Sequence, residues 1–226
     1  MSPTPARLAL LATIAERLLG QPPSPVLKVA IDGVDGAGKT TFADELAATL
    51  SKRGQQVIRA SIDGFHSPRE MRYRLGRHSP EGFYRDSYNL DALKRELLEP
   101  LSPGGSLRYL TRIFDVNSDH TIHDKPAHAQ GSEILLLDGL FLHRPELRSF
   151  WDDSIFLKVD FVISVPRGAA RGPGFGSADP YAESNRRYVQ GNRLYFAEAS
   201  PEDRAGIVVN NNDLHAPYIE KITPGN

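Results

Sequence analysis

Gly33-Val34-Asp35-Gly36-Ala37-Gly38-Lys39-Thr40 is the stretch from which the rest of the chain is read. It fits the pattern GxxxxGK[ST] without a gap, and each fixed position has a physical reason. The glycines let main-chain N–H groups converge on phosphate oxygens at a helix N-terminus, the lysine reaches the β- and γ-phosphates, and the hydroxyl that follows binds Mg²⁺. Gly33, Asp35, Gly36, Ala37, Gly38, Lys39, Thr40 and Thr41 are therefore the expected contacts of ATP or another nucleoside triphosphate, with Mg²⁺ accompanying it. A tight turn made for its own sake would leave Lys39 and Thr40 unexplained. The dinucleotide fingerprint GxGxxG fails, because Thr41 stands where its third glycine belongs.

Working outward, Val26 to Ile31 is a short apolar run with Lys28 as its only charge, and Thr41 to Arg53 sets Phe42, Leu46, Ala47 and Leu50 on one helical face before Gly54. Strand, glycine turn and helix thus follow in the order the loop requires. Upstream, a helix over 4–20 starts at Thr4-Pro5, carries Leu8, Leu11, Ala12, Ala15, Leu18 and Leu19 at helical spacing, and gives way to a breaker loop at residues 21–25. Downstream, Val57 to Ile62 reads as a strand ended by Asp63-Gly64, Leu90 to Leu101 as a helix, Leu107 to Phe114 as a strand, and Glu133 to Leu137 as a strand apolar enough to be central. Ile155 to Val165 continues the strand pattern, Asp179 to Ala199 is helical, and Gly206 to Val209 is a last short strand. Alternation of this kind predicts an α/β fold with a mostly parallel sheet covered by helices on both faces, the P-loop nucleoside triphosphate hydrolase architecture, in a single domain over 1–226. Phe65 to Tyr88 is a long polar insertion of the kind that carries function.

Composition narrows the possibilities. Of 226 residues, 40% are hydrophobic and 24% charged, which is ordinary globular usage. With 27 basic and 28 acidic residues the formal charge is −1, so general basicity gives no reason to expect a nucleic-acid partner. The absence of cysteine removes disulfides, thiol nucleophiles and cysteine metal sites, and suits a cytoplasmic setting. No apolar stretch reaches the roughly 20 residues of a membrane span.

Phosphoryl transfer needs acidic groups at the strand ends near the metal. Asp138, closing the run Ile134-Leu135-Leu136-Leu137-Asp138-Gly139, is the expected second metal ligand beside Thr40. Asp63 is the other carboxylate at that rim, free to take the proton of an attacking hydroxyl.

Together, Ile31-Asp32-Gly33, Asp63-Gly64-Phe65-His66, Phe114-Asp115 and Leu137-Asp138-Gly139-Leu140-Phe141-Leu142 resemble the uridine kinase and phosphoribulokinase group of P-loop kinases over about Val26 to Asn210. The resemblance implies that Asp63 is the general base, that Phe65 and His66 shape the acceptor pocket, and that Phe114 and Asp115 lie beside a nucleobase. Two departures matter. Where uridine kinases carry an Asp that grips ribose, this chain reads Tyr88-Asn89-Leu90-Asp91, so Asn89 takes that position. The expected lid, about 167–178, has Arg167 and Arg171 on one helical face but then runs into Gly172-Pro173-Gly174-Phe175-Gly176. Arg69, Arg72, Arg74, Arg77 and Arg85, interleaved with Tyr73, Phe83 and Tyr84, form a patch from which Arg69 and Tyr84 are further candidate acceptor contacts.

These residues add up to an ATP- and Mg²⁺-dependent phosphotransferase acting on a hydroxyl of a small molecule, in which Lys39, Asp63, Arg167 and Arg171 carry the chemistry. A nucleoside is the acceptor that the resemblance implies. Pantothenate and sugar kinases of the same fold are the nearest alternatives, and a P-loop ATPase or nucleotide switch without an acceptor is the alternative from another class.

Overall fold

The computed structural model describes residues 3–22, 24–172 and 176–223. Pro23 of the breaker loop and Pro173, Gly174 and Phe175 of the expected lid lie outside the described residues. The main sheet contains β1 (Val26–Gly33), β2 (Val57–Ser61), β3 (Glu133–Gly139), β4 (Asp153–Lys158), β5 (Ile207–Asn210) and β6 (Tyr218–Ile222), in the order β6-β5-β4-β1-β3-β2. All pairs are parallel except β5 with β6.

Strand alternation explains why the sheet is covered on both sides. In β1, Leu27, Val29 and Ile31 face one core while Val26 and Ala30 face the other, and in β3 Ile134 and Leu136 oppose Leu135 and Leu137 in the same way. A strand apolar on both faces must be internal. One core is closed by α1 (Pro5–Leu19) and α2 (Lys39–Ser51). Thr4 Oγ1 caps α1 by accepting from Arg7 N, and the helix buries Leu11, Ile14 and Leu18, each worth about 1.5–3 kcal/mol. The other core is closed by α3 (Pro80–Asp86), the turns that follow it, and the long helix α5 (Glu183–Ala199), which packs on α3. Between β4 and α5 lies α4 (Phe161–Ala169).

Register sets the site. Asp138 near the end of β3 is paired with Ile31 of β1 on one side and Ser61 of β2 on the other. The loop after β1, Asp138 and the turn after β2 therefore gather at one rim, where ligands bind in such sheets.

Four expectations are corrected. Leu107 to Phe114 does not form a sheet strand: Arg108–Tyr109 pairs with Ala127–His128 and Phe114–Asp115 with His120–Thr121 in two small ribbons. Its main chain braces the turn after β2 and the turn around Glu96 instead, with Ile113 N donating to Gly64 O and Leu110 N to Glu96 O. Leu90 to Leu101 is one α-turn, Leu90–Leu93, leading into a π-turn over Lys94–Leu98. The run from Ile155 breaks at Val159-Asp160, and α4 begins at Phe161, so the last five of its eleven residues are helix rather than strand. An edge strand, β6, follows the Gly206 to Val209 run that was expected to be last.

Candidate active site

The loop after β1 takes backbone conformations that only glycine adopts freely. Gly36 has φ 73°, and a Cβ there would sit 2.0 Å from Ser164 O of α4, so no side chain fits. Gly38, at φ 88°, is the N-cap of α2. Lys39 Nζ arches back to donate to Val34 O at 2.9 Å, and Asn211 Nδ2 anchors the loop from β5's end by donating to Ala37 O at 2.7 Å. The result is a helix N-terminus with an ammonium held over it, the arrangement that receives phosphate.

Thr40 Oγ1 donates to Asp138 Oδ2 at 2.8 Å. A hydroxyl and a carboxylate side by side are hard oxygen donors of the kind Mg²⁺ takes, so these residues fit the ion. The other carboxylate oxygen, Oδ1, accepts from Arg59 at 3.0 Å, and Arg59 also donates to Leu136 O at 2.8 Å and Ala60 O at 3.0 Å. Arg59 thereby fixes which way Asp138 faces.

A cavity of about 390 Å³ opens beside these groups. Lys39, Thr40, Asp138, Asp63, His66 and Arg187 all line it. Asp63 sits in a 3-10 turn whose N-cap, Ser61, accepts from Asp63 N, and its carboxylate is two-thirds exposed, with Oδ1 accepting from Tyr88 OH at 3.2 Å. Burial, reinforced by the Asp63 charge, holds the Tyr88 phenol well above its ordinary value, so it stays a donor. His66 Nδ1 lies 2.9 Å from Asp63 O. A carbonyl only accepts, so Nδ1 carries the proton. Burial lowers the His66 pKa, which makes the neutral ring, with Nε2 as an acceptor, the form present at neutral pH. Burial raises the Asp35 carboxyl while Lys39 opposes it, and Asn192 of α5 donates to Asp35 Oδ2 at 3.3 Å.

Of the expected site residues, Lys39, Thr40, Asp35, Gly36, Asp63, His66, Asp138 and Arg171 line this one cavity. Gly33, Ala37 and Gly38 shape the loop without lining it, and Thr41 faces away on α2. Several others are elsewhere. Phe65 and Tyr84 are fully buried core side chains, Tyr84 packing edge-on against Phe141. Asn89 caps the Leu90 turn, its Oδ1 accepting from Ala92 N at 3.0 Å, so it does not stand in for a ribose-binding carboxylate. Arg69 is exposed and gives its main-chain N–H to Asp119 Oδ1. Phe114 and Asp115 line a shallower pocket that touches the main one at Asp63, and Asp115 is occupied by Asn117 N and Ser118 Oγ. Arg167 donates to the carbonyls of Asn211 and Asn212, which ties α4 to the end of β5 and keeps its guanidinium out of the cavity.

Arg59, Arg72, Tyr88, Arg187 and Tyr188 were not expected as site residues. Arg72 stood unremarked among five arginines of the insertion, and Arg187-Tyr188 sits in a polar helix with no local pattern to mark it.

No family model and no curated protein matches the sequence. Solved structures do resemble the fold. One, described as a possible uridine kinase from Bacillus stearothermophilus, superposes with a TM-score of 0.71 over 88% of this chain and 97% of that one at 22% identity. A second, described as a fructose transport system kinase from Silicibacter sp. TM1040, gives 0.63 over 88% and 94% at 26% identity. D-glycerate 3-kinase from Cryptococcus neoformans var. grubii gives 0.55 over 94% and 97% at 12% identity. The chain has the fold of P-loop kinases. Among the described residues, no helix is long and apolar enough to cross a membrane.

Proposed function

We propose that the protein is a P-loop phosphotransferase that moves the γ-phosphate of ATP to a hydroxyl of a small polar molecule. The observation that carries this reading is the convergence of Lys39, Thr40, Asp138 and Asp63 on one cavity. Bound Mg²⁺-ATP supplies the phosphoryl group and neutralises its charge. Lys39 stabilises the charge on the transferring group, and Thr40 and Asp138 hold the metal. Asp63 takes the proton as the acceptor oxygen–hydrogen bond breaks, the new oxygen–phosphorus bond forms, and ADP departs. Tyr88 holds the Asp63 carboxylate in place for that transfer. Arg171 lines the same cavity, and in this reading it meets the transferring phosphoryl group.

Asp63 is what separates this reading from a nucleotide switch or an ATPase, since neither needs a base facing an acceptor space. A nucleoside acceptor is a second reading. The tilted ring pair of His66 and Tyr88, with centroids 4.7 Å apart, together with Tyr188 gives the cavity aromatic faces, and the Bacillus stearothermophilus neighbour is described as a possible uridine kinase. The test is coupled ADP release with Mg²⁺-ATP across nucleosides, sugars, sugar acids and pantothenate, against a reaction with no acceptor. A kinase releases ADP only with its acceptor. The same rate with and without every acceptor would make the protein an ATPase.

A further inference from the structure

The cavity lining carries cationic hydrogen-bond capacity that the phosphate loop does not use. Arg187 of α5 and Arg72 of the insertion both line the cavity, with only 7% and 9% of their surfaces exposed. Each leaves its Nε–H buried without a partner among the described residues. Arg187 spends one amino group on Arg77 O at 2.6 Å, Arg72 spends one on Asp119 at 2.9 Å, and Arg187 has no carboxylate partner among the described residues. The Arg187 guanidinium lies over the rings of Tyr73, Phe83 and Tyr188, at 4.8, 5.3 and 5.8 Å. Aromatic faces hold the fork rigid and partly offset its lost hydration, but they do not satisfy its N–H groups.

A buried donor without a partner is costly and rarely kept without use. Burial, aggravated by the like charges of Arg72 and Arg77, lowers the Arg187 pKa, so an anion placed there would relieve a strain already present. Asn192 of the same helix touches Asp35 of the loop, and Arg187 stands five residues earlier, about 7 Å along the axis. That offset leaves room for a short polyol chain between the loop and the cation.

We infer that Arg187 and Arg72 form an oxyanion subsite for the acceptor, which is therefore a hydroxylated compound bearing a carboxylate or phosphate at the end remote from the hydroxyl to be phosphorylated. The inference rests on the phosphotransferase reading for the word acceptor, but the subsite itself can be tested apart from it. Calorimetric titration of inorganic phosphate, and separately of acetate, into protein saturated with Mg²⁺ and the non-hydrolysable nucleotide AMPPNP measures the subsite with the loop already filled. Saturable binding of one anion is expected, weakened about tenfold or more by Arg187→Met and by Arg72→Met, and less by Arg187→Lys, which keeps the charge but loses the fork. Tighter phosphate than acetate would mark a phosphorylated acceptor, and the reverse a sugar-acid type. AMPPNP affinity in each variant reports that the fold is intact. If AMPPNP binds but neither anion does, or if Arg187→Met and Arg72→Met bind both as the wild type does, the subsite is overturned and the phosphotransferase reading stands. If AMPPNP does not bind the wild type, that reading fails, and the same titrations on free protein, wild type against Arg187→Met, decide the subsite alone.

Discussion

Two aspartates close to the same rim of the sheet have opposite surroundings. Asp32, the penultimate residue of β1, is fully buried, and its oxygens are saturated by donors: Oδ1 accepts from Gly33 N at 2.7 Å, and Oδ2 accepts from Leu142 N at 3.1 Å, from His143 N at 3.3 Å and from Tyr195 OH, with His143 Nδ1 at 2.7 Å. His143 continues the chain to Ser154 Oγ at 2.9 Å. Asp63, just beyond β2, is two-thirds exposed, and among the described residues its side chain accepts one hydrogen bond, from Tyr88. Asp32 uses its charge to tie β1, the segment after β3 and α5 together. Asp63 leaves most of its lone pairs without a donor among the described residues. Arg167 and Arg187 repeat the contrast among the cations, the first engaged by two loop carbonyls and the second with a donor to spare. In the proposed reading the saturated group builds and the unsaturated one acts.

The largest effect should come from the unsaturated member. Asp63→Asn is expected to keep nucleotide affinity while lowering turnover about 10²–10⁴-fold, the usual worth of a general base, in the coupled ADP-release assay. Wild-type turnover from this variant would reduce Asp63 to a turn residue and erase the contrast. Next comes the saturated member. Asp32→Ala strands several buried donors and should cost about 3 kcal/mol or more in urea denaturation, whereas Asp63→Ala should stay within about 0.5 kcal/mol. Equal losses would show that saturation does not distinguish the two.

A smaller change is expected from Arg59→Met, which frees Asp138 to rotate away from Thr40. The concentration of Mg²⁺ needed for half-maximal rate should rise about three- to tenfold, and the Tm should fall, because the buried Asp138 carboxylate loses the cation that pairs its Oδ1. The smallest effect concerns pH. The folded pKa of His66 lies below its ordinary value of 6.5 because of burial, so as pH falls through that value the unfolded chain takes up a proton the folded one refuses. Stability should therefore fall with decreasing pH from about 6.5 down to the folded pKa, and be flat above, and His66→Gln should remove that slope from urea midpoints.

The loop and the two metal-side residues could be read from sequence because backbone geometry fixes their spacing: Gly36 and Gly38 need φ values other residues avoid, and Lys39, Thr40 and the strand-ending Asp138 follow from the order strand, turn, helix. The acceptor wall could not. It is assembled from residues more than a hundred positions apart, such as Arg72 and Arg187, and no local period marks which arginine of a cluster turns inward. Tyr84 misled for the converse reason, since an aromatic side chain beside arginines reads the same whether it stacks on a ligand or fills the core, while Phe65, expected in the acceptor pocket from the resemblance, is a core side chain here. The Asn89 position carried a capping signal, a short polar acceptor three residues before an amide at Ala92, and that local role is the one the structure realises. The ribbons at Arg108 and Phe114 look like strands in sequence because β-rich composition does not say whether the partner is the main sheet or a neighbouring loop.

The proposed chemistry depends most on the loop holding a nucleotide under Lys39, and thermal melting in millimolar ATP and Mg²⁺ tests this most directly. By mass action the wild type should gain several degrees in Tm, and Lys39→Ala should lose most of that gain while melting normally without nucleotide. A wild-type curve unmoved by ATP and Mg²⁺, or an equal gain in Lys39→Ala, would contradict it.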